Sequence, residues 1–131
     1  MPAHDSILSV LAEAKYVSLR TFRRDGSCVD TPVWIAGLEG SLVAFTDGTS
    51  WKVKRLRANP KCALAVCNVM GTVSGEWAPG SASILSDSDR EQRAYAALRA
   101  KYGMQMHALD LMSWIGGRIG RRVVLEFTLA R

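Results

Sequence analysis

The chain has 131 residues, 48% of them hydrophobic, and carries 17 Lys and Arg against 12 Asp and Glu, a net charge of +5. The length is that of one domain able to bury a real core, so 1–131 is expected to fold as a single unit. The excess of base fits an anionic ligand, a nucleic acid or no particular partner. The cysteines, Cys28, Cys62 and Cys67, form no CxxC, and the step from 62 to 67 points that pair to opposite faces of a strand. That argues against a disulfide framework and against a metal site. The apolar stretch Ile7 to Ala14 carries Glu13 and falls short of the ~20 residues of a membrane span or the pattern of a secretion signal. The expected setting is a reducing cytoplasm, with no membrane association.

In chain order, Ser6 is placed to cap a short helix through about Ala14, with Leu8, Leu11 and Ala12 on one side. "YVSLRTF" then alternates as a strand, "DGS" supplies a hairpin turn in which Gly26 tolerates positive φ, and "VDTPVWIA" alternates again. A turn from Gly37 to Gly40 leads to a third strand, "LVAFT", followed by the basic helix "SWKVKRLRA", which Asn59-Pro60 stops before "CALAVCNV". "GTVSGEWAPG" reads as a loop or broken strand ahead of "SASILS". Ser88 and Glu91 form a capping box for a helix bearing Tyr95, Leu98 and Tyr102, which Gly103 ends. A further helical stretch spans about Gln105 to Ile115, and "GGRIG" turns into the closing strand "RVVLEFTLA". Six short strands with one short and one longer helix point to a mainly β, α+β fold built as an antiparallel barrel, since a doubly wound sheet would need more helices. "CALAVCNV" is apolar on both faces, which points to packing beyond the chain's own core, hence to a dimer.

The basic helix carries the clearest chemistry. With Thr49 or Ser50 as cap, Val53 and Leu56 face the core, Lys52 and Arg55 line one flank, and Lys54 and Arg57 the other. Free amides at a helix start, a capping hydroxyl and an ammonium in the first turn together make an anion site suited to phosphate. A base there runs against the usual preference for acids, and a bound anion would account for it. The alternative is a solubilising charged face.

Three stretches, "KYVSLRTFRRDGSCVDTPVWIA", "LVAFTDGTSWKVKRLRANPK" and "LRAKYG", resemble the pyridoxamine 5'-phosphate oxidase-like split β-barrel family, in particular its branch of deazaflavin (coenzyme F420) dependent reductases. The resemblance implies a six-stranded split barrel and a homodimer with cofactor sites at its interface, each cofactor phosphate lying at the start of the helix after the third strand. It makes Thr31, Pro32 and Val33 candidate neighbours of the flavin-like ring. Thr46 and Ser50 match hydroxyl positions near the ribityl phosphate, and Lys52 matches the phosphate-binding lysine. Arg55 is a candidate for the phosphate or the acidic tail. Trp51 stands where relatives that use FMN often carry a second base, which leans the cofactor from FMN toward F420.

No Ser-His-Asp set or paired carboxylates stand out, so no catalytic side chain is assigned. Trp34 and Trp77 read as packing residues of a core or interface, and His107 as solvent-facing. The base is concentrated on one helix and is not interleaved with aromatics on a sheet face, which argues against nucleic acid. The expectation is an F420-dependent oxidoreductase that transfers a hydride to or from a small organic acceptor. The alternatives are an FMN-dependent relative and a non-catalytic flavin- or deazaflavin-binding protein.

Overall fold

In a computed structural model, which describes residues 2–115 and 122–130, eleven elements follow one another. They are α1 (Pro2–Glu13), β1 (Tyr16–Phe22), β2 (Cys28–Val33), β3 (Ala36–Leu38), β4 (Ser41–Asp47), α2 (Trp51–Ala58), β5 (Lys61–Cys67), β6 (Ala78–Ile84), α3 (Ser88–Tyr102), α4 (Met104–Ile115) and β7 (Arg122–Leu129). All strands join one antiparallel sheet in the order β2-β1-β5-β6-β7-β4-β3. Its two edge strands, β2 and β3, are consecutive in the chain, so the sheet curls until its ends are joined by Trp34 and Ile35. This is the split-barrel form of an α+β fold.

Among the described residues the strands number seven rather than six because "VDTPVWIA" is not continuous. It pairs with β1 up to Val33, breaks, and resumes at Ala36 against β4. At the break, the Ile35 N–H donates to the Tyr102 hydroxyl and its carbonyl accepts from Lys101, so neither group joins a ladder. Pro32, which lacks an N–H, is tolerated because β2 lies at an edge. The turn read at Gly37 to Gly40 tightens to Glu39 and Gly40, both with positive φ, as a two-residue hairpin of right-handed twist requires. The Gly26 hairpin is as expected, with φ +88.

Two helix starts differ from the sequence reading. Ser6 does not cap α1, which begins four residues earlier at Pro2. Asp87 rather than Ser88 is the N-cap of α3, its carboxylate accepting from the Asp89 N–H, while Glu91 serves the first turn as an acid at the positive end of the helix. Gly103, at φ +55, ends α3 as read. The "GGRIG" turn at 116–120 lies outside the described residues.

One core fills the curl: Val17, Leu19, Ile35, Leu42, Leu64, Leu125 and Phe127, with Leu11 of α1 and Leu56 of α2 closing over it. A second joins the outer face of β4 and β7 to α3 and α4 through Val43, Val124, Leu98, Tyr102 and Met106. Ala63, Ala65 and Cys67 of β5 are buried within the single chain, so the doubly apolar strand does not by itself call for a second copy. Among the described residues, no helix is long and apolar enough to cross a membrane.

Candidate functional site

The turn from β4 into α2 is built by Asp47. Its Oδ1 accepts from the Thr49 backbone N–H at 2.8 Å and from the Thr49 hydroxyl at 2.7 Å, and its carbonyl accepts from the Ser50 N–H. Thr49 is therefore engaged outside the helix, and Ser50 becomes the N-cap. The Ser50 side chain caps nothing, however, and its Oγ is buried without a hydrogen-bond partner among the described residues. The first turn holds no acid. A helix start leaves its first N–H groups without intrahelical acceptors, so amides and an orphaned hydroxyl coincide here.

Lys52 lies in this first turn and is half-buried. Burial pushes its ammonium below the ordinary lysine value; Asp47 opposes that shift and Arg55 adds to it. Val53 and Leu56 are buried and fix the helix against the barrel, as the residue spacing implies. Trp51 is 70% exposed, with the Lys54 ammonium 4.4 Å from its ring centroid. Thr46, at the end of β4, is half-buried on the face shared with Leu42 and Ala44.

Beside this helix runs a cleft of about 400 Å³ between α2 and the β1–β2 hairpin, lined by Phe22, Arg23, Arg24, Trp51, Lys54, Arg55 and Ala58. Lys61 extends the basic rim, with its ammonium 5.5 Å from the Phe22 ring. The hairpin's own acid, Asp25, is engaged by the Ser27 hydroxyl and N–H, which hold its carboxyl below the usual range. The cleft thus brings four cations and two aromatic rings to one concavity. Arg23, Arg24 and Phe22 were not legible as site residues; the only signal was "FRR" ahead of the turn, and its meaning depends on which helix the hairpin meets.

Thr31, Pro32 and Val33 form a separate group at the end of β2. Val33 points into the core, so it offers a site only its backbone, whereas Pro32 is exposed and Thr31 half-buried. An edge strand keeps one row of backbone groups free for a ligand. Ser50 at the N-cap and Trp51, Lys52 and Arg55 in α2 fall together, with Thr46 across the Asp47 turn, while the β2 group lies on the strand paired with β1, against which α2 also packs. Trp34 stacks on Tyr102 at 4.5 Å and the Arg20 guanidinium lies 3.8 Å over Trp77, so both tryptophans pack. His107 is exposed. No cluster of His, Cys, Asp or Glu among the described residues could hold a metal ion.

A curled antiparallel sheet with a short basic helix after its β4 strand defines a split-barrel protein. The sequence matches the family profile of pyridoxamine 5'-phosphate oxidase over residues 3–131, and the chain belongs to that family. A comparison with curated proteins gives no significant match. Among solved structures, an F420 reductase is 17% identical at a TM-score of 0.60, covering 94% of this chain and 93% of that one. HutZ, the heme storage protein of Vibrio cholerae, is 12% identical at a TM-score of 0.71, with 97% and 89% covered. A NimC/NimA family protein of Clostridium acetobutylicum is 22% identical at 0.65, with 97% and 80% covered. These likenesses establish the fold.

Proposed function

We propose that this chain is a cytoplasmic oxidoreductase that binds coenzyme F420, with its phosphate at the start of α2, and serves hydride transfer to or from a small organic acceptor. The observation that carries the reading is the buried Ser50 hydroxyl at the N-cap of α2, left without a partner among the described residues, two positions before the half-buried Lys52. A phosphate oxygen there would satisfy the hydroxyl, the first-turn amides and the ammonium at once. The neighbouring cleft favours F420 over FMN. Deazaflavin carries a phospholactyl oligoglutamate tail, and Arg23, Arg24, Lys54 and Arg55 give its carboxylates more positive charge than the compact FMN phosphate needs. The F420 reductase among the structural neighbours agrees with this reading.

When bound, the deazaflavin supplies the hydride from its own ring carbon. The protein's part is to bind, orient and exclude water. Lys52, Ser50 and the amides of α2 would hold the phosphate, the edge of β2 at Thr31 to Val33 would neighbour the ring, and Thr46 would supply a further hydroxyl. A single split-barrel domain over 1–131 would pair with a second copy, and the exposed Val69, Met70, Met104, Leu111 and Met112 give that copy apolar surface to cover.

The test is a parallel titration of the purified protein with F420 and FMN, followed by fluorescence or heat, with light scattering on the same sample. The proposal expects F420 to bind more tightly and the protein to be a dimer. Tighter FMN binding at physiological salt would move the assignment to an FMN-dependent relative.

A further inference from the structure

The break between β2 and β3 is where the sheet turns back on itself, and it is closed by two adjacent residues from the end of α3. Ile35 is fully buried, so its unladdered N–H and C=O need partners inside the protein. The Tyr102 hydroxyl accepts the Ile35 N–H at 3.0 Å and donates to the Lys15 carbonyl at 2.7 Å. That hydroxyl has one proton, so its 3.2 Å approach to the Ile35 carbonyl is the weaker contact. The Ile35 carbonyl is served instead by the Lys101 ammonium at 2.6 Å, which also donates to the Ala12 and Ala14 carbonyls at 2.7 and 2.5 Å. All three ammonium protons are used. The last turn of α1 has no basic residue of its own, so Lys101 supplies the cation its negative end favours. The Tyr102 ring lies flat against Trp34, at 8° between planes, and completes the hold on the residue before Ile35. Burial pushes the Tyr102 phenol up to about 12, which keeps its proton available to donate.

We propose that Lys101 and Tyr102 are positioning residues that clamp Trp34 and Ile35 and so aim the free edge of β2, at Thr31 to Val33, toward the cofactor ring; this rests on the reading of those residues as ring neighbours. The clamp ties together the end of α1, the residue before β1 and the strand break. A rigid break two residues beyond Val33 limits how far the edge can rotate. Neither residue touches the ligand. Their effect reaches it through backbone alone, and it differs in kind from that of Lys52, which holds the phosphate.

The experiment compares wild type, Tyr102→Phe and Lys52→Ala by amide exchange of the ligand-free protein and by fluorescence titration with F420 and with the phosphate-free deazaflavin riboside. Tyr102→Phe keeps the ring against Trp34 and removes only the hydroxyl. It is expected to speed exchange in residues 31–36 about tenfold while β4 and β7 exchange as in wild type, and to weaken both ligands by the same factor, about three- to tenfold. Lys52→Ala is expected to weaken F420 alone and to leave exchange at 31–36 unchanged. Unchanged exchange at 31–36 in Tyr102→Phe overturns the clamp, and so does loosening there with both ligands bound as in wild type. General loosening of every strand would mean an ordinary core residue, which also overturns it. If wild type binds neither ligand, the F420 reading fails and the ring-aiming half of the proposal with it, while exchange still decides whether the clamp holds the break. Should Tyr102→Phe not fold, Lys101→Met, measured below its melting temperature, is judged by the same criteria.

Discussion

Two half-buried lysines with ammonium groups lowered by burial make the most instructive comparison in this molecule. Lys101 donates to three backbone carbonyls and is fully occupied by its own protein. Lys52 has only the charge of Asp47 to oppose its burial, and it follows by two positions a buried hydroxyl, that of Ser50, with no hydrogen-bond partner among the described residues. The desolvation of Lys101 is offset by three carbonyl contacts, whereas that of Lys52 is opposed only in part, by the charge of Asp47. On the reading proposed above, a buried charge neutralised by carbonyls of its own chain serves structure, whereas one at a helix start that Asp47 offsets only in part would accept an anion from outside.

The largest expected effect lies on the structural side. Lys101→Met would leave the carbonyls of Ala12, Ala14 and Ile35 without their charged donor, and is expected to cost about 2–4 kcal/mol of stability, read as a clear fall in melting temperature. Lys52→Ala relieves a desolvated ammonium at the loss of its attraction to Asp47, and the variant's melting temperature should stay within about 0.5 kcal/mol equivalent of wild type. Equal destabilisation by the two substitutions would erase the distinction.

On the ligand side the order reverses. Lys52→Ala is expected to lose one charge-assisted hydrogen bond to the phosphate, roughly 1.5–3 kcal/mol or about ten- to a hundredfold in F420 affinity. Lys61→Ala, beyond Pro60 on the cleft rim, should lose much less. On the proposed reading, turnover in the Lys52 variant should largely return at saturating cofactor, because the residue would hold the phosphate and do no chemistry on the ring. Two alanine variants that bind equally well would reduce α2 to a solvated basic surface.

The lysine comparison also sets a pH dependence. The Lys52 ammonium is held below its ordinary value of 10.5, chiefly by burial, with Arg55 adding to that and Asp47 opposing it. In the free protein it therefore gives up its proton earlier than in the unfolded chain, and a bound phosphate draws the proton back. Below the lowered midpoint the ammonium is present and affinity is full. As pH rises through that midpoint affinity falls, in a window that lies below 10.5, and binding within it takes up protons. Calorimetry in two buffers of different ionisation enthalpy measures the uptake. Lys52→Arg, which stays charged throughout, should abolish it.

The comparison explains what could be read from the sequence. The α2 site was legible because its parts are local: the apolar spacing of Val53 and Leu56, the small polar residues before them and the ring of base all fall within one short stretch. The cap was narrowed to Thr49 or Ser50, and only the Asp47 turn, which takes up Thr49, decides for Ser50. The strand break was not legible. Alternation in "VDTPVWIA" is that of one strand, and what interrupts it is contributed by Lys101 and Tyr102, 66 and 67 positions away from Ile35. Local pattern carries no record of such a contact. The capping difference at Ser88 is of another kind, since Asp and Ser cap equally well and adjacent polar residues compete for the role, while at Ser6 the helix starts four residues earlier, at Pro2.

The smallest expected effect tests the part of the site that neither lysine represents. Arg23 and Arg24 lie on the hairpin side of the cleft, opposite Lys54 and Arg55 on α2. If the cleft holds the carboxylates of an F420 tail, these arginines act at its exposed rim, where each charge pair contributes about 0.2–1 kcal/mol. An Arg23→Ser, Arg24→Ser double variant should then weaken F420 by about two- to tenfold and leave FMN, which has no tail, unchanged. Its salt dependence should change as well. Raising ionic strength shortens the screening length to about 8–10 Å near physiological salt and weakens exposed contacts before desolvated ones. F420 affinity should therefore fall more steeply with salt in wild type than in the double variant, while the loss in Lys52→Ala stays nearly constant across the series. A double variant with the salt response of wild type would place the tail elsewhere and leave the phosphate site at Ser50 and Lys52 standing alone.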